Sequence, residues 1–394
     1  MPIHRDVPMP ARSATLRAVP PPRPRRRWRN PALVGIGLVA VVAGSLALGW
    51  SGEDRATVTT QPVVTVPNVD LRILDADDSG ALLLADGELR AVDDTGRTRW
   101  HQPMPRAGVQ CLTCPTALET GGAGRSPARI DAMGRHHPAD DLAGALALGE
   151  AWIRPEQDAL QVLVPTATTT IELGRVPATS LDPSAYAFAP SVAVADDGRS
   201  GAAVVGRPDP LEPGRAQGWY LRVGQAPRSV DVGLANPGTA PAVCRPLPGT
   251  DRWGWVETFP GDEPWLGSAQ FVAVDGQALA PLRVDLPVSS CAVTPSGYVL
   301  TFTSVGPRGT SSGAVWVDAR GRVVRTASAR NEAVQGRASV SGATGRVLLP
   351  VVGGGRLHDA RADLGLVQAD ELRLRPDGQL WLVRGQRVSV GAGP

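Results

Sequence analysis

Val192-Ala-Val-Ala-Asp-Asp-Gly198-Arg-Ser-Gly-Ala-Ala-Val-Val205 is an apolar run, a turn carrying glycine, and a second apolar run. Such a pattern reads as a β-hairpin: the runs are too short for a helix and the break between them carries turn chemistry. The form recurs at Ile73–Leu84 around Gly80, at Cys291–Phe302 around Gly297 and at Leu372–Leu382 around Gly378. In the last two the turn is Pro-Ser-Gly or Pro-Asp-Gly, where proline presets φ and glycine accepts a positive φ. The rest of the chain after residue 70 shows almost no 3.6-residue periodicity longer than two turns, which predicts an all-β domain.

The spacing of these turns sets the architecture. Gly198, Gly249, Gly297 and Gly345 recur at a nearly constant interval of about 50 residues. A four-stranded antiparallel sheet with its turns needs about 40 to 50 residues, the period of a propeller blade. One such sheet cannot bury both faces, whereas sheets stacked around an axis can. The stretch from Gly52 to Pro394 divided by this period predicts a β-propeller of about seven four-stranded blades. The interval from Gly345 to Gly378 is shorter than that period, too short to finish one blade and build another, so the last hairpin is expected to supply inner strands to a composite blade. The outermost strand of that blade is expected from the stretch Thr57 to Val66, which hides sheet edges.

A second hairpin form appears at Ala91-Val-Asp93-Asp-Thr-Gly96-Arg97, Ala273-Val-Asp275-Gly276 and Trp316-Val-Asp318-Ala-Arg-Gly321-Arg322. Around the first copy, Gly87-Glu-Leu-Arg-Ala-Val-Asp-Asp-Thr-Gly-Arg-Thr-Arg-Trp100 resembles the quinoprotein-like (PQQ-type) propeller repeat, with its strand, Asp-x-x-Thr-Gly turn and docking tryptophan. The turn is one residue short, and residues 101–185 match poorly. The resemblance implies architecture over about half the domain. It does not carry over the enzyme: quinoprotein dehydrogenases show adjacent cysteines at the cofactor and this chain has none, so neither quinone nor calcium is assigned.

Charge divides the chain more sharply than its formal net of +2 suggests. Residues 1–30 carry eight arginines (Arg5, Arg12, Arg17, Arg23, Arg25, Arg26, Arg27, Arg29) against Asp6, a net of +7; the remaining 32 arginines and 37 acids leave −5 for residues 31–394. Every basic residue is arginine, which fits a GC-rich bacterial coding bias and excludes a Gly-Lys phosphate loop. An acidic main domain lacks the clustered positive charge that nucleic acid requires. Ala32 to Trp50 is apolar or small throughout, long enough to cross a hydrocarbon core of about 30 Å as a helix. The arginines before it and Glu53-Asp54 after it put the N-terminus in the cytoplasm. The expected organisation is a disordered Arg/Pro-rich tail (1–30), a transmembrane helix (31–51), a linker with a possible closing strand (52–70) and an extracytoplasmic propeller-like domain (71–394). Its rival is a cleaved signal peptide, with Ser45-Leu-Ala47 as a small-x-small site.

Four cysteines in an exported domain point to two disulfides. Cys244 and Cys291 each shortly precede a turn glycine, Gly249 and Gly297, which places both on first strands of consecutive blades, where blades come closest. A Cys244–Cys291 bridge is expected, leaving Cys111 and Cys114 to pair locally. Gly309-Thr-Ser311-Ser-Gly313 matches G-x-S-x-G but lies between strand candidates with no helix after it, so a glycine-serine loop is expected. Gly134-Arg-His136-His137-Pro-Ala-Asp140-Asp141 gathers possible metal ligands, but adjacent side chains seldom converge on one ion and a second pair is lacking. Trp253, Trp255 and Trp265 fall close together, either as a binding surface for sugar or peptide or as wedges between blades. With no catalytic or cofactor residues assigned, the functional expectation is a membrane-anchored binding or scaffolding module at the bacterial envelope, its partner another envelope protein. The alternative is an exported enzyme acting on cell-wall carbohydrate, which requires paired carboxylates at the central channel, with the Asp77-Asp78 and Asp196-Asp197 turns as candidates.

Overall fold

The computed structural model describes residues 59–65, 71–105, 108–121, 126–177, 190–206, 215–234, 240–250, 252–258, 267–272, 282–284, 288–306, 309–329 and 338–392. The tail and the apolar segment at 1–51 lie outside the described residues; among the described ones no helix is long and apolar enough to cross a membrane. Residues 53–394 form a compact unit of their own.

The described strands assemble into eight four-stranded antiparallel sheets, each paired in chain order. Blades 1 to 7 occupy residues 71–103, 109–138, 146–177, 191–234, 240–284, 288–329 and 339–368. Blade 8 is composite: Glu371–Leu374, Leu380–Arg384 and Arg387–Ala392 pair in sequence, and Thr59–Thr65 adds as the outermost strand, with Thr59 opposite Ala392 and Thr65 opposite Arg387. First strands of neighbouring blades touch from blade 8 to blade 1 and on to blade 2, and from blade 4 through to blade 8, so the ring closes on itself.

The sheet count exceeds the value of about seven obtained from the turn spacing, and the reason is local. Reference points in the first turns, Gly80, Pro115 and Gly149, stand much closer together in the chain than the glycines from Gly198 to Gly345 that set the period. Three-residue strands such as Ala128–Ile130 and His136–Pro138 make a complete blade from few residues. The short interval from Gly345 to Gly378 likewise suffices for blade 7.

Blades pack through apolar faces joined at their inner turns by aromatic donors. Trp100 Nε1 of blade 1 donates to Pro115 O of blade 2 at 2.8 Å, and Trp316 Nε1 of blade 6 donates to Gly345 O of blade 7 at 2.8 Å. Tyr220 Oη of blade 4 donates to Thr250 O of blade 5 at 2.5 Å, and Trp381 Nε1 of blade 8 donates to Asp77 O of blade 1 at 3.3 Å. Each buries a large ring while satisfying its one polar atom.

The outer turns share an Asp-x-x-Gly-Arg design. In Asp93, Asp131 and Asp318 one carboxylate oxygen accepts backbone N–H groups two and four residues on, and the other accepts an arginine Nε. The glycine sits at φ of 80° to 82°, a region that disfavours side chains. The Asp131 copy carries the same spacing in the sequence as the other two.

These bonds make a pH prediction. At Asp131 the Arg135 N–H and His137, and at Asp318 the Arg322 N–H, hold the carboxyl below the ordinary 3.8. A folded-state value below the unfolded one adds stability that is present above 3.8 and lost as pH falls toward the folded value. Burial raises Asp75, Asp77 and Glu150, whose contributions run the other way, present at low pH and lost as pH rises through their folded values. The double variant Asp131→Asn/Asp318→Asn is therefore expected to be less stable than the parent at neutral pH and to converge with it in strong acid. Urea midpoints across acid pH check this; a constant gap down to the lowest pH would exclude it.

An ion pair between a buried guanidinium and a partly exposed carboxylate ties blades 2 and 3. The Arg129 guanidinium, almost wholly buried, meets both Asp141 oxygens at 2.7 Å and also donates to Thr166 O and Thr170 Oγ1. Asp141→Ala leaves this charge buried with its carboxylate gone, and a loss of about 1 to 2 kcal/mol is expected by denaturant titration, the solvent around Asp141 screening part of the pairing. A change within error would place the pair on the solvated surface instead.

Candidate functional site

The first-to-second-strand turns of all blades converge on one mouth of the central channel. They adjoin one another around the ring: Asp377 N donates to Asp78 Oδ1 at 3.4 Å, Ser341 Oγ donates to Pro376 O at 2.6 Å, and Thr344 stands against Gly378. A β-carbon at Gly342 of blade 7 would lie 3.5 Å from both Asp196 Oδ2 of blade 4 and Val293 O of blade 6, so turns from across the ring meet there.

The charged centre of this mouth is Arg245, just after the first strand of blade 5. Its Nη1 donates to Asp196 Oδ1 at 2.7 Å, and its Nη2 pairs with Glu150 Oε1. The three residues come from three consecutive blades. Burial works against the Arg245 charge, but Glu150 and Asp196 more than offset it and its pKa rises. Glu150 is raised above the ordinary 4.5, first by burial and then by Asp196 and Asp75, with Arg245 opposing. Its side chain keeps 57 % of its surface open, so it stands in a crowded but wet channel.

Arg245 is fixed by its backbone as well. Its N–H donates to Cys291 O and its carbonyl accepts from Val293 N, both at 2.8 Å, giving a parallel bridge between blades 5 and 6 beside Ala292. The Cys244–Cys291 disulfide lies at this bridge, with Cα atoms 4.3 Å apart. Both cysteines are buried among Val256, Val293, Tyr298 and Leu300, packed between the blades.

The second disulfide, Cys111–Cys114, sits at the inner turn of blade 2 with Cα atoms 5.3 Å apart. Two aspartates of blade 1 hold its backbone: Asp75 Oδ2 accepts from Cys111 N and Asp77 Oδ2 accepts from Cys114 N, both at 2.7 Å. Asp77 Oδ1 also accepts from Ser79 N and Gly80 N, so Asp77 makes its own turn and anchors the next blade. Asp77 and the two sulfurs lie within 4.8 Å of one another, but the sulfurs are bonded together and both carboxylate oxygens are taken. That donor set does not fit a metal ion.

The tryptophan surface is corrected by burial. Trp253 and Trp255 are 2 % and 0 % exposed, with ring centroids 5.3 Å apart, and pack with Ala202, Val204, Tyr220 and Val243 between blades 4 and 5. They are wedges, and no ligand can stack on them. Trp265 lies outside the described residues. Gly309–Asp318 is a continuous strand, which removes the catalytic-elbow geometry, and Gly313 is glycine because a β-carbon there would collide with the Phe302 ring. The histidine loop does not converge: His136 bonds Gln102, His137 bonds Asp131, and Asp141 serves Arg129. Sequence reasoning missed Glu150 and Arg245, which carry no local motif; their only signal is a charge beside the first strand of a blade.

No protein-family model matches the chain, and no curated protein matches it. Similar solved structures include Hsv2 of Kluyveromyces lactis, at 12 % identity over 81 % of this chain and 99 % of that one, with a TM-score of 0.43. A eukaryotic initiation factor matches at 12 % identity over 84 % and 89 %, TM-score 0.45, and hydrazine synthase of Kuenenia stuttgartiensis at 11 % over 83 % and 96 %, TM-score 0.39. The identities are too low to speak to function, and the propeller assignment stands on the chain's own sheets.

Proposed function

We propose that this chain is a membrane-anchored, extracytoplasmic β-propeller that acts as a binding or scaffolding module at the bacterial envelope, presenting its rims to another envelope protein. The observation that carries this is the state of the central mouth. Its chemistry-bearing groups are engaged with one another: Arg245 with Glu150 and Asp196, and Asp75 and Asp77 with the backbone of the Cys111–Cys114 turn. Groups held this way build a rigid platform. Two disulfides suit an oxidising compartment, and the apolar Ala32 to Trp50 segment with its arginine flank supports the anchor and its orientation. The docking role of Trp100 supports a quinoprotein-like repeat as the origin of the blades.

The test is crosslinking of the full chain in native membranes. Recovery of discrete envelope proteins, lost when exposed rim residues are changed, supports the module. A reporter that works only outside the cytoplasm should be active when fused after Pro394; activity there of a cytoplasmic reporter alone would refute the topology.

One observation favours the carbohydrate-acting alternative: two carboxylates, Glu150 and Asp196, flank a single guanidinium at the channel mouth, and burial raises Glu150 above the ordinary carboxyl value. Hydrolysis of purified cell wall that disappears in Glu150→Gln would establish it.

A further inference from the structure

The strand directions separate the ring into two sides of different character. In an antiparallel four-stranded blade the turn joining strands one and two and the turn joining strands three and four lie on the same side. Hydrogen bonds from Asp377 to Asp78 and from Ser341 to Pro376 join neighbouring first turns, and Trp100 and Trp316, beside three-four turns, donate to the first turns of the next blades, so these turns share one side, the turn side. Thr59, where the chain enters the propeller, pairs with Ala392 at the end of the third strand of blade 8, so it too lies on the turn side.

Exposed arginines collect there. Arg97, Arg320 and Arg361 stand on the three-four turns of blades 1, 6 and 7, and Arg199 on the one-two turn of blade 4. All four enter hydrogen bonds through their backbone N–H, and their guanidinium groups make no ion pair among the described residues. The exposed carboxylates without an ion pair on this side, among the described residues, are Asp94 and Asp197. The other side, among the described residues, carries exposed Asp86, Asp140, Asp158 and Asp370 without an ion pair against Arg72, Arg384 and Arg387, and its exposed apolar side chains are Leu146 and Val352. Large apolar side chains stand out beside the arginines: Met133 in the outer turn of blade 2 is 71 % exposed, and Val323 and Val324, next after the Asp318 turn, are 48 % and 57 % exposed.

We infer that the turn side is a lipid-facing surface, on which Arg97, Arg199, Arg320 and Arg361 contact anionic phospholipid headgroups while Met133, Val323 and Val324 reach the interfacial layer. The inference rests on the anchor proposed above. The short link from Trp50 to Thr59 spans at most about 30 Å, and it joins the propeller on this side. The charge has the sign that an acidic membrane surface attracts, and each arginine near such a surface adds about fivefold in affinity. The opposite side then faces away from the bilayer.

The experiment uses the full chain in lipid nanodiscs of phosphatidylcholine alone or mixed with phosphatidylglycerol, with amide hydrogen exchange as readout. Insertion is verified first by resistance to alkaline extraction from vesicles. With the anionic lipid, exchange is expected to slow in peptides covering 93–99, 197–200, 318–324 and 359–363 but not in those covering 86–88 and 156–158, and added salt should reverse the effect. The quadruple variant Arg97→Gln/Arg199→Gln/Arg320→Gln/Arg361→Gln, with its thermal midpoint unchanged, should lose that protection. An inserted chain with equal exchange in both lipids, or protected on the other side, overturns this inference and leaves the anchor standing. A chain that extracts freely overturns the anchor and this inference together.

Discussion

Deletion of residues 371–394 is expected to abolish cooperative folding, whereas removal of 393–394 alone leaves it intact. The larger cut takes away three of the four strands of blade 8 and with them Leu380, Trp381, Leu382, Val383 and Val388, all at most 1 % exposed. Full burial of such a side chain contributes about 1.5 to 3 kcal/mol, so five of them match the whole stability of an ordinary domain, about 5 to 15 kcal/mol. The damage spreads in both directions. Thr59–Thr65 loses the strand it pairs with, and Leu71 and Ile73 of blade 1 lose the packing of Trp381 and Val383. On the other flank, Leu348 and Leu357 of blade 7 lose Leu380 and Leu382. Thermal unfolding followed by circular dichroism reads the outcome. A deleted chain that unfolds at the parent's midpoint would rule out a ring closed by the composite blade.

The second large effect is expected at the Cys244–Cys291 bridge. Replacing both cysteines with alanine should lower stability by about 2 to 4 kcal/mol, because the bond spans 47 residues and restricts the unfolded chain over that loop. The parallel hydrogen bonds of Arg245 with Cys291 and Val293 remain, so blades 5 and 6 stay in contact and the fold should survive. The Cys111–Cys114 bond closes a far shorter loop, with a sequence separation of 3, and the same change there should cost less. Peptide maps of the unreduced protein give an independent check. A Cys244 peptide running alone, or joined to Cys111 or Cys114, would contradict both the pairing and the register that placed two cysteines on adjacent first strands.

The parts of the fold that could be read from the chain are those whose signal is local. The Gly198, Gly249, Gly297 and Gly345 turns announced themselves because each places glycine at positive φ between two apolar runs, and their spacing carried the blade period. The Cys244–Cys291 pairing followed from that register. Blade 2 was hidden because its strands are short, two of them only three residues long, and in blade 3 the first strand is equally brief and its turn follows that of blade 2 more closely than the period predicts. A count of about seven from the spacing therefore falls short of the eight sheets. The tryptophans misled as a possible surface because a bulky ring in a β-rich sequence suits a wedge and a platform equally well. Only the neighbours of Trp253 and Trp255 decide between these, and most of them lie in the preceding blade.

The sequence by itself determined the all-β class, the repeat and its approximate period, the charge split between tail and domain, and the disulfide partners, all of which depend on residues near one another in the chain or on a regular interval. The tertiary structure alone decided the eighth blade, the burial of the tryptophans and the Glu150–Arg245–Asp196 centre. The reason is geometric: Glu150 and Arg245 are 95 residues apart and share no motif, and nothing short of closing the ring brings three successive blades to one channel mouth. There Arg245 pairs with both carboxylates at once and joins three ordinary charges into a single electrostatic unit.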